Sequence, residues 1–208
     1  MHSGEAQEDL IEEIVPLDRG ELRVLRPRDS EALLDEHAFE HEEFLPYWAE
    51  LWPSGVTLAS DLSSRSLRGA RTLELGCGLG LPSIAAALAG GRVLATDWSP
   101  DGIAMTARNA ERSGASVETL VCDWAQPDPL LARAPWDLVL AADVLYERRN
   151  VDVLDELLPR LIDARGEILL ADPGRVLAET FLERAERRFE LRTTSHGPVM
   201  IHRMRLKR

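Results

Sequence analysis

The chain has 208 residues, 45% of them apolar and 29% charged, which is the composition of a globular domain and excludes a disordered protein. The 36 acidic residues against 24 basic ones give a net charge of −12, which disfavours nucleic acid as a partner because phosphate groups would be repelled. The sequence has no run of about 18 apolar residues, the length that a membrane span needs, and its acidic start lacks the features of a secretory signal. Two cysteines are too few for a disulfide framework, so we expect a cytoplasmic protein without a membrane partner.

Residues 1–45 differ from the rest of the chain in being strongly acidic, and we expect them to form an N-terminal extension of a main domain at residues 46–208. Polar and apolar residues alternate over 21–26, which predicts a strand with one face toward solvent. Residues 15–18 are its candidate hairpin partner. Ser30 is a suitable N-cap for a helix that continues through Phe39.

From Arg71 onward, short apolar runs alternate with longer amphipathic stretches. The runs lack in–out alternation, as expected for parallel strands covered on both faces, and predict strands at 71–75, 92–95, 117–121, 137–141 and 167–171. The stretches predict helices at 81–89, 100–113, 151–162 and 176–188, and residues 189–194 and 199–206 predict a terminal antiparallel hairpin. The pattern predicts an α/β fold with a Rossmann-like, doubly wound, mostly parallel seven-stranded sheet.

The segment at residues 72–80, TLELGCGLG, is the most informative part of the chain. Glycines at alternate positions allow a strand to turn sharply into a helix while the backbone closely approaches a ligand. The spacing does not match a dinucleotide fingerprint, and the Gly-Lys-Ser/Thr of a P-loop is absent. Glu74, two residues before the first glycine, would repel a pyrophosphate but suits a cationic cofactor that carries an ammonium group.

Acidic residues also follow the next two predicted strands. Asp97 ends the second strand of the alternating region, where a carboxylate can accept hydrogen bonds from both hydroxyls of a ribose. Asp123 follows the third strand, and Trp124 beside it offers a broad apolar face. Taken singly, Asp97 would more often be a turn former and Trp124 would as often be a core residue, but their order and spacing together indicate a cofactor pocket.

The glycine segment resembles the first motif of the class I methyltransferases that use S-adenosylmethionine, acid-x-Gly-x-Gly-x-Gly, which is matched here by Glu74, Gly76, Gly78 and Gly80. The resemblance implies that these residues bind the cofactor and that Asp97 and the adjacent Trp98 belong to the same site. It also implies that Asp123 binds the adenine amino group while Trp124 packs on the ring.

A narrower resemblance is to the seven-strand protein lysine methyltransferases, methyltransferase family 16. That family carries a tryptophan-containing segment before its glycine motif, and Trp52 is interpreted accordingly as a cover of the cofactor pocket. The alternative is that Trp48 and Trp52, four residues apart, pack into the core from one helix. The family's Asp-x-x-Tyr is matched at residues 143–146, and the preceding Ala142 matches a backbone contact to the cofactor. Residues 171–175 resemble the branch that methylates the β subunit of electron-transfer flavoprotein, which implies a protein substrate.

Asp143 and Tyr146 are the catalytic candidates. A lysine amine has an ordinary pKa of about 10.4 and must be neutral to act as a nucleophile, which a partly desolvated site beside a positive sulfur favours. Asp143 would hold the remaining N–H groups and direct the lone pair, while Tyr146 would shape the wall. The competing interpretation is that Asp143 only caps a helix that begins at Val144.

The sequence leaves other functions open. A small-molecule N-methyltransferase of the nicotinamide type, or an inactive cofactor-binding partner protein, would share the same core. Residues 37–41 spell H-x-x-E-H, the zinc signature of inverted metallopeptidases, but the motif supplies only two histidine ligands and a solvated acidic helix is the favoured interpretation. We therefore expect no metal. The sequence does not indicate the oligomeric state, and Lys207 is the only lysine.

Overall fold

The computed structural model describes residues 9–30 and 46–207. The strands in these ranges are β1 (Leu10–Pro16), β2 (Glu21–Pro27), β3 (Arg71–Leu75), β4 (Arg92–Asp97), β5 (Val117–Val121), β6 (Trp136–Ala142), β7 (Ile162–Asp172), β8 (Phe189–His196) and β9 (Val199–Leu206). The α-helices in the same ranges are α1 (Pro53–Ser63), α2 (Leu81–Leu88), α3 (Pro100–Arg112), α4 (Asp128–Leu131), α5 (Arg148–Leu161) and α6 (Val176–Ala185), and a 3-10 turn spans Tyr47–Ala49.

Seven strands form the main sheet in the order β5-β4-β3-β6-β7-β9-β8. The strands from β3 to β7 are parallel, and β9 pairs antiparallel with both β7 and β8. The chain leaves β3 toward β4 and β5 and then returns to pair β6 on the other side of β3, so the sheet has its topological switch point between β3 and β6. This architecture confirms the predicted fold class.

Helices cover both faces of the sheet, and each face has its own hydrophobic cluster. The helices α1, α2 and α3 contribute to one cluster, with Leu58 and Ile84 fully buried in it. The helices α5 and α6 contribute to the other, in which Leu154 and Phe181 are fully buried. The inner strands β3, β4, β6 and β7 are covered on both faces, which explains why they appear in the sequence as largely apolar runs.

The predicted bounds hold for β3, β5 and β9, whereas β7 is longer than predicted. It begins at Ile162 and not at residue 167, because Ile162 pairs with Trp136 across an irregularity in the register. A Cβ atom on Gly166 would lie 2.6 Å from the carbonyl oxygen of Trp136, so only glycine permits the two strands to approach here.

The N-terminal hairpin is also longer than predicted. Its first strand is β1 and not residues 15–18, since Asp18 lies in the turn and the pairing runs from Pro16 and Glu21 back to Leu10 and Pro27. Its apolar side, with Val24 fully buried, packs into the cluster that contains α1, α2 and α3. The helix predicted to follow the Ser30 cap and continue through Phe39 lies outside the described residues, apart from Ser30 itself.

A buried asparagine connects this hairpin to the glycine segment. Asn109 on α3 accepts a hydrogen bond from the Leu25 N–H at 2.8 Å and donates to the carbonyl oxygens of Leu25 and Leu79, both at 3.0 Å. The side chain therefore satisfies three buried backbone groups that belong to two separate parts of the chain.

The chain end lies at the opposite edge of the sheet from the carboxyl ends of the parallel strands. Since β9 runs antiparallel to β7, its last residues lie where β7 begins, and the Lys207 N–H donates to the Arg188 carbonyl oxygen at 2.9 Å. Among the described residues, no helix combines the length and the apolar character that crossing a membrane requires.

We expect Asn109→Ala to lower the free energy of unfolding by about 2 kcal/mol, because it leaves backbone groups of Leu25 and Leu79 buried without partners. Urea unfolding at neutral pH measures the change. The control is Glu111→Ala on an exposed position of the same helix, which should stay within about 0.5 kcal/mol of the wild type. Equal stability of the Asn109 variant and the wild type would contradict this bridging role.

Candidate active site

A cavity of about 350 Å³ opens at the carboxyl edge of the sheet, at the switch point between β3 and β6. This is the place where open α/β sheets bind ligands. Its walls come from the turn after β3, the ends of β4, β6 and β7, the loop after β5, and the segment around the 3-10 turn.

The turn after β3 has a conformation that depends on glycine. Gly76, Gly78 and Gly80 have φ angles of 72°, 51° and 86°, a region that side chains disfavour. A Cβ atom on Gly76 would lie 3.3 Å from the Trp124 ring and 3.2 Å from Val144. Gly76 and Gly78 line the cavity, whereas Gly80 packs against Thr106 as the N-cap of α2 and is not among the lining residues.

Glu74 lies at the bottom of the cavity with 1% of its surface exposed. Its Oε2 accepts hydrogen bonds from the Ser83 N–H at 2.9 Å and from the Ser83 hydroxyl. Burial raises the pKa of Glu74 from 4.5 to about 8, against the two hydrogen bonds, which lower it, and with a small further rise from Asp97. A cationic group beside this carboxyl would favour its ionised form.

Asp97 ends β4 and joins two loops at the cavity wall. Its Oδ2 accepts a hydrogen bond from the Gly78 N–H at 2.9 Å, and its Oδ1 accepts one from the Ser99 N–H at 3.0 Å. Burial raises the pKa of Asp97, and the backbone hydrogen bonds oppose that rise. A carboxylate oxygen can accept more than one hydrogen bond, so Asp97 can still bind hydroxyl groups of a ligand.

The residues after β5 divide between the cavity and the surface. Trp124 forms one wall, and its Nε1 is buried with no hydrogen-bond partner among the residues that the structure describes. Asp123 is exposed, accepts a hydrogen bond from the Ala125 N–H at 2.9 Å and is not among the lining residues, so its predicted contact with adenine stays a prediction. Trp98 and Ala142 both line the cavity.

Asp143 follows β6 and is buried at the cavity wall with φ at 60°. Its Oδ1 contacts two nitrogen atoms of Arg175, Nε at 2.8 Å and Nη2 at 2.6 Å. Its Oδ2 is buried and has no partner in the part of the chain that the structure describes. The interpretation of Asp143 as a helix cap is wrong, because the next helix, α5, begins at Arg148 with Glu147 as its N-cap.

Three aromatic side chains form another part of the cavity wall. The rings of Tyr47 and Tyr146 are 5.1 Å apart, those of Tyr47 and Trp52 are 6.3 Å apart, and the Arg175 guanidinium lies 6.0 Å from the Trp52 ring. Burial, followed by the charge of Glu147, raises the pKa of Tyr146, so this side chain is a neutral phenol at physiological pH.

The alternative interpretation, in which Trp48 and Trp52 share one helix, is wrong. The 3-10 turn ends at Ala49, and Trp52 is the extended N-cap of α1, with φ at −70° and ψ at 133°. Pro53 explains the break, since a residue before proline is pushed out of the helical region. Trp52 consequently reaches the cavity wall.

Sequence reasoning missed several residues of this site. Glu50 and Glu147 line the cavity, and neither belongs to a motif that the sequence makes visible. Arg175 appeared only within the matched stretch at 171–175. Its ion pair with Asp143 joins residues 32 positions apart, which local patterns do not reveal. The H-x-x-E-H motif at residues 37–41 lies outside the described residues; within 9–30 and 46–207 no group of three or more metal-ligating side chains is present.

The chain is similar to known proteins over much of its length. The family model described as lysine methyltransferase matches residues 42–188. The electron transfer flavoprotein beta subunit lysine methyltransferase of Xenopus laevis is 36% identical over 136 residues, which is 62% of this chain and 53% of that protein. The protein N-lysine methyltransferase METTL21A of Danio rerio is 30% identical over 150 residues, 69% of each protein. The chain thus spans about half the length of the first of these relatives.

Among solved structures, the 16S rRNA N2 G1207 methyltransferase of T. thermophilus, in complex with AdoMet and guanosine, superimposes with a TM-score of 0.71. The match covers 95% of this chain and 51% of that one at 14% identity, so it shows a shared fold.

We expect the free energy of unfolding to fall as the pH rises from about 4.5 to about 8, because over this range Glu74 ionises in the unfolded chain but stays protonated in the fold. The slope from this one group is at most about 1.4 kcal/mol per pH unit, and it vanishes above and below that range.

Glu74→Gln removes the titrating group and keeps the side-chain volume. The difference in unfolding free energy between wild type and variant should therefore change with pH over this range, since contributions from Asp97 and other groups cancel. Urea unfolding at several pH values measures it. A difference that is constant with pH would contradict the buried, protonated state of Glu74.

Proposed function

Because this chain belongs to the lysine methyltransferase family, we propose that it transfers a methyl group from S-adenosylmethionine to the ε-amine of a lysine in a protein. The observation that carries the proposal is the cavity at the switch point, which is lined by three carboxyl side chains from three different strand ends: Glu74, Asp97 and Asp143. Two of them suit the two polar ends of the cofactor, and the third suits the amine.

The residues of the cavity fit the cofactor chemically. Glu74 is a buried carboxyl with a raised pKa, and the ammonium group of the cofactor would restore its charge and form an ion pair with it. Asp97 has free acceptor capacity for the ribose hydroxyls, and Gly76 and Gly78 permit a close approach of the backbone. Trp124 supplies an apolar wall for the adenine ring and a buried Nε1 donor that lacks a protein partner among the described residues.

The amine-binding end comprises Asp143 and Tyr146, beside Ala142 at the end of β6. When bound, S-adenosylmethionine supplies a methyl group on a positively charged sulfur; the amine lone pair forms the new N–C bond as the C–S bond breaks, and the electron pair of that bond stays on sulfur. Asp143 would accept an N–H of the amine and so direct its lone pair, and the Tyr146 ring would limit the space around it. Alignment of this kind supplies a large part of the rate in displacement reactions.

The substrate is proposed to be the β subunit of electron transfer flavoprotein. Two features support this: the name of the Xenopus laevis relative and the match of residues 171–175 to that branch of the family. The net charge of −12 is consistent with a protein partner and disfavours nucleic acid. We propose a cytoplasmic location, in accord with the free, buried thiols of Cys77 and Cys122.

We expect the purified protein, incubated with isotope-labelled S-adenosylmethionine and a dialysed lysate of its host, to label lysine residues of one or a few proteins. Mass spectrometry locates the label. Incubation of the same lysate without the protein gives the background. Label on amine metabolites in an undialysed lysate, with none on protein lysines, would replace this proposal with a small-molecule N-methyltransferase. Binding of the cofactor without any labelling would indicate an inactive binding protein.

Two variants should separate cofactor binding from turnover. Asp97→Ala should weaken cofactor binding by roughly tenfold or more, because it removes a charged acceptor for the ribose hydroxyls. Asp143→Ala should leave cofactor binding within about twofold and lower turnover by roughly 100-fold, because the amine loses its orienting acceptor. Calorimetry with S-adenosylmethionine and a labelling assay measure the two effects.

Asp101→Ala is the matched control, since Asp101 is exposed four residues after Asp97 and is not among the residues lining the cavity. It should change neither quantity, and thermal unfolding confirms that each variant is folded. Normal cofactor affinity of Asp97→Ala would refute the ribose role, and unchanged turnover of Asp143→Ala would refute the amine role.

A further inference from the structure

The ion pair between Asp143 and Arg175 uses only one of the two carboxylate oxygens. Arg175 contacts Oδ1 through both Nε and Nη2, at 2.8 Å and 2.6 Å. An arginine paired with a carboxylate frequently uses two parallel hydrogen bonds, one to each oxygen. Here Oδ2 is left buried in the cavity wall without a partner among residues 9–30 and 46–207, which is costly unless a ligand supplies a donor.

Arg175 is the only positively charged side chain among the described residues that line the cavity. The acidic side chains that line it come from the 3-10 segment, β3, β4 and the loop after β6: Glu50, Glu74, Asp97, Asp143 and Glu147. A cation in this position opposes the attraction that the acidic groups exert on a positively charged substrate amine.

Both the backbone and the side chain of Arg175 have contacts that hold it in place. The Oδ1 of Asp172, the last residue of β7, accepts hydrogen bonds from the Gly174 and Arg175 N–H groups, both at 2.7 Å. The guanidinium lies 6.0 Å from the Trp52 ring. Asp143 is held from the other side, since its N–H donates to the Ala171 carbonyl oxygen at 2.9 Å. Both partners of the ion pair are therefore fixed by the ends of two adjacent strands.

We propose that Arg175 is a positioning residue that holds Asp143 through Oδ1, leaves Oδ2 to accept one N–H of the substrate amine, and by its charge selects the neutral amine over the ammonium form. The inference rests on the proposed function, because it concerns the same amine site. The positive charge of Arg175 compensates the negative charge of Asp143, so the carboxylate orients the amine without strongly stabilising its protonated form. The proton that the ammonium releases goes to solvent through the open mouth of the cavity.

A second ion pair, outside the cavity, shows what a purely structural role would look like. Arg184 provides the comparison: it pairs with Asp152 at 2.7 Å, its side chain has the same 34% exposure as that of Arg175, and it is not among the residues lining the cavity. Loss of either arginine removes one ion pair, but only the loss of Arg175 leaves an uncompensated carboxylate beside the amine.

The test compares three variants with the wild type: Arg175→Gln, Arg175→Lys and Arg184→Gln. The substrate in each assay is the protein that the lysate labelling identifies. For Arg175→Gln we expect kcat at neutral pH to fall about tenfold, KM to stay equal or fall, and the midpoint of kcat against pH to rise by about one pH unit, because the uncompensated Asp143 retains the amine as an ammonium ion. The pH profile of kcat reports groups in the enzyme–substrate complex. Arg175→Lys keeps the charge and should keep the midpoint while it loses part of the rate.

A second measurement does not depend on turnover. Substrate affinity in the presence of S-adenosylhomocysteine, measured below the midpoint, should be equal or tighter in Arg175→Gln than in the wild type. Arg184→Gln should match the wild type in every respect, and thermal unfolding and S-adenosylhomocysteine affinity verify that all variants are folded. Weaker substrate binding, or an unmoved kcat midpoint in Arg175→Gln, overturns the proposal. If the wild type labels no amine at all, the proposed function fails first and this inference with it.

Discussion

The hydrogen bond from the Gly78 N–H to Oδ2 of Asp97 is the contact on which the cavity depends, because it joins the turn after β3 to the end of β4. The same turn is held by the Gly76 and Cys77 N–H groups, which both donate to the Thr96 carbonyl oxygen. The turn therefore has its shape before any ligand arrives, and little ordering of the backbone opposes binding.

The distribution of charge in the cavity reflects two different tasks. At the deep end, Glu74 is isolated from water and holds a proton at neutral pH, so a cation that enters there displaces the proton and gains an ion pair. Elsewhere in the cavity wall, Asp143 is already compensated by Arg175. A cation therefore gains more from a position beside Glu74 than from one beside Asp143.

Local chemistry explains which parts of this molecule could be predicted. The bounds of β3 follow from a buried apolar run, and the turn at Gly76 follows from glycine spacing, because each depends only on neighbouring residues. Trp52 was ambiguous by spacing alone, although Pro53 after it was a usable signal. The contact of Asp143 with Arg175 could not be predicted, since it exists only because the order of the sheet brings the ends of β6 and β7 side by side.

The position of Lys207, the single lysine of this sequence, has a practical consequence for a labelling experiment. Lys207 follows β9 at the edge where the parallel strands begin, whereas the cavity lies at the edge where they end. One molecule cannot bring the ε-amine of Lys207 to its own cavity without unfolding part of the sheet. Radioactive label on the lysine of this polypeptide would therefore come from transfer between two copies. A dilute sample of the purified protein alone should accordingly give a low background in autoradiography.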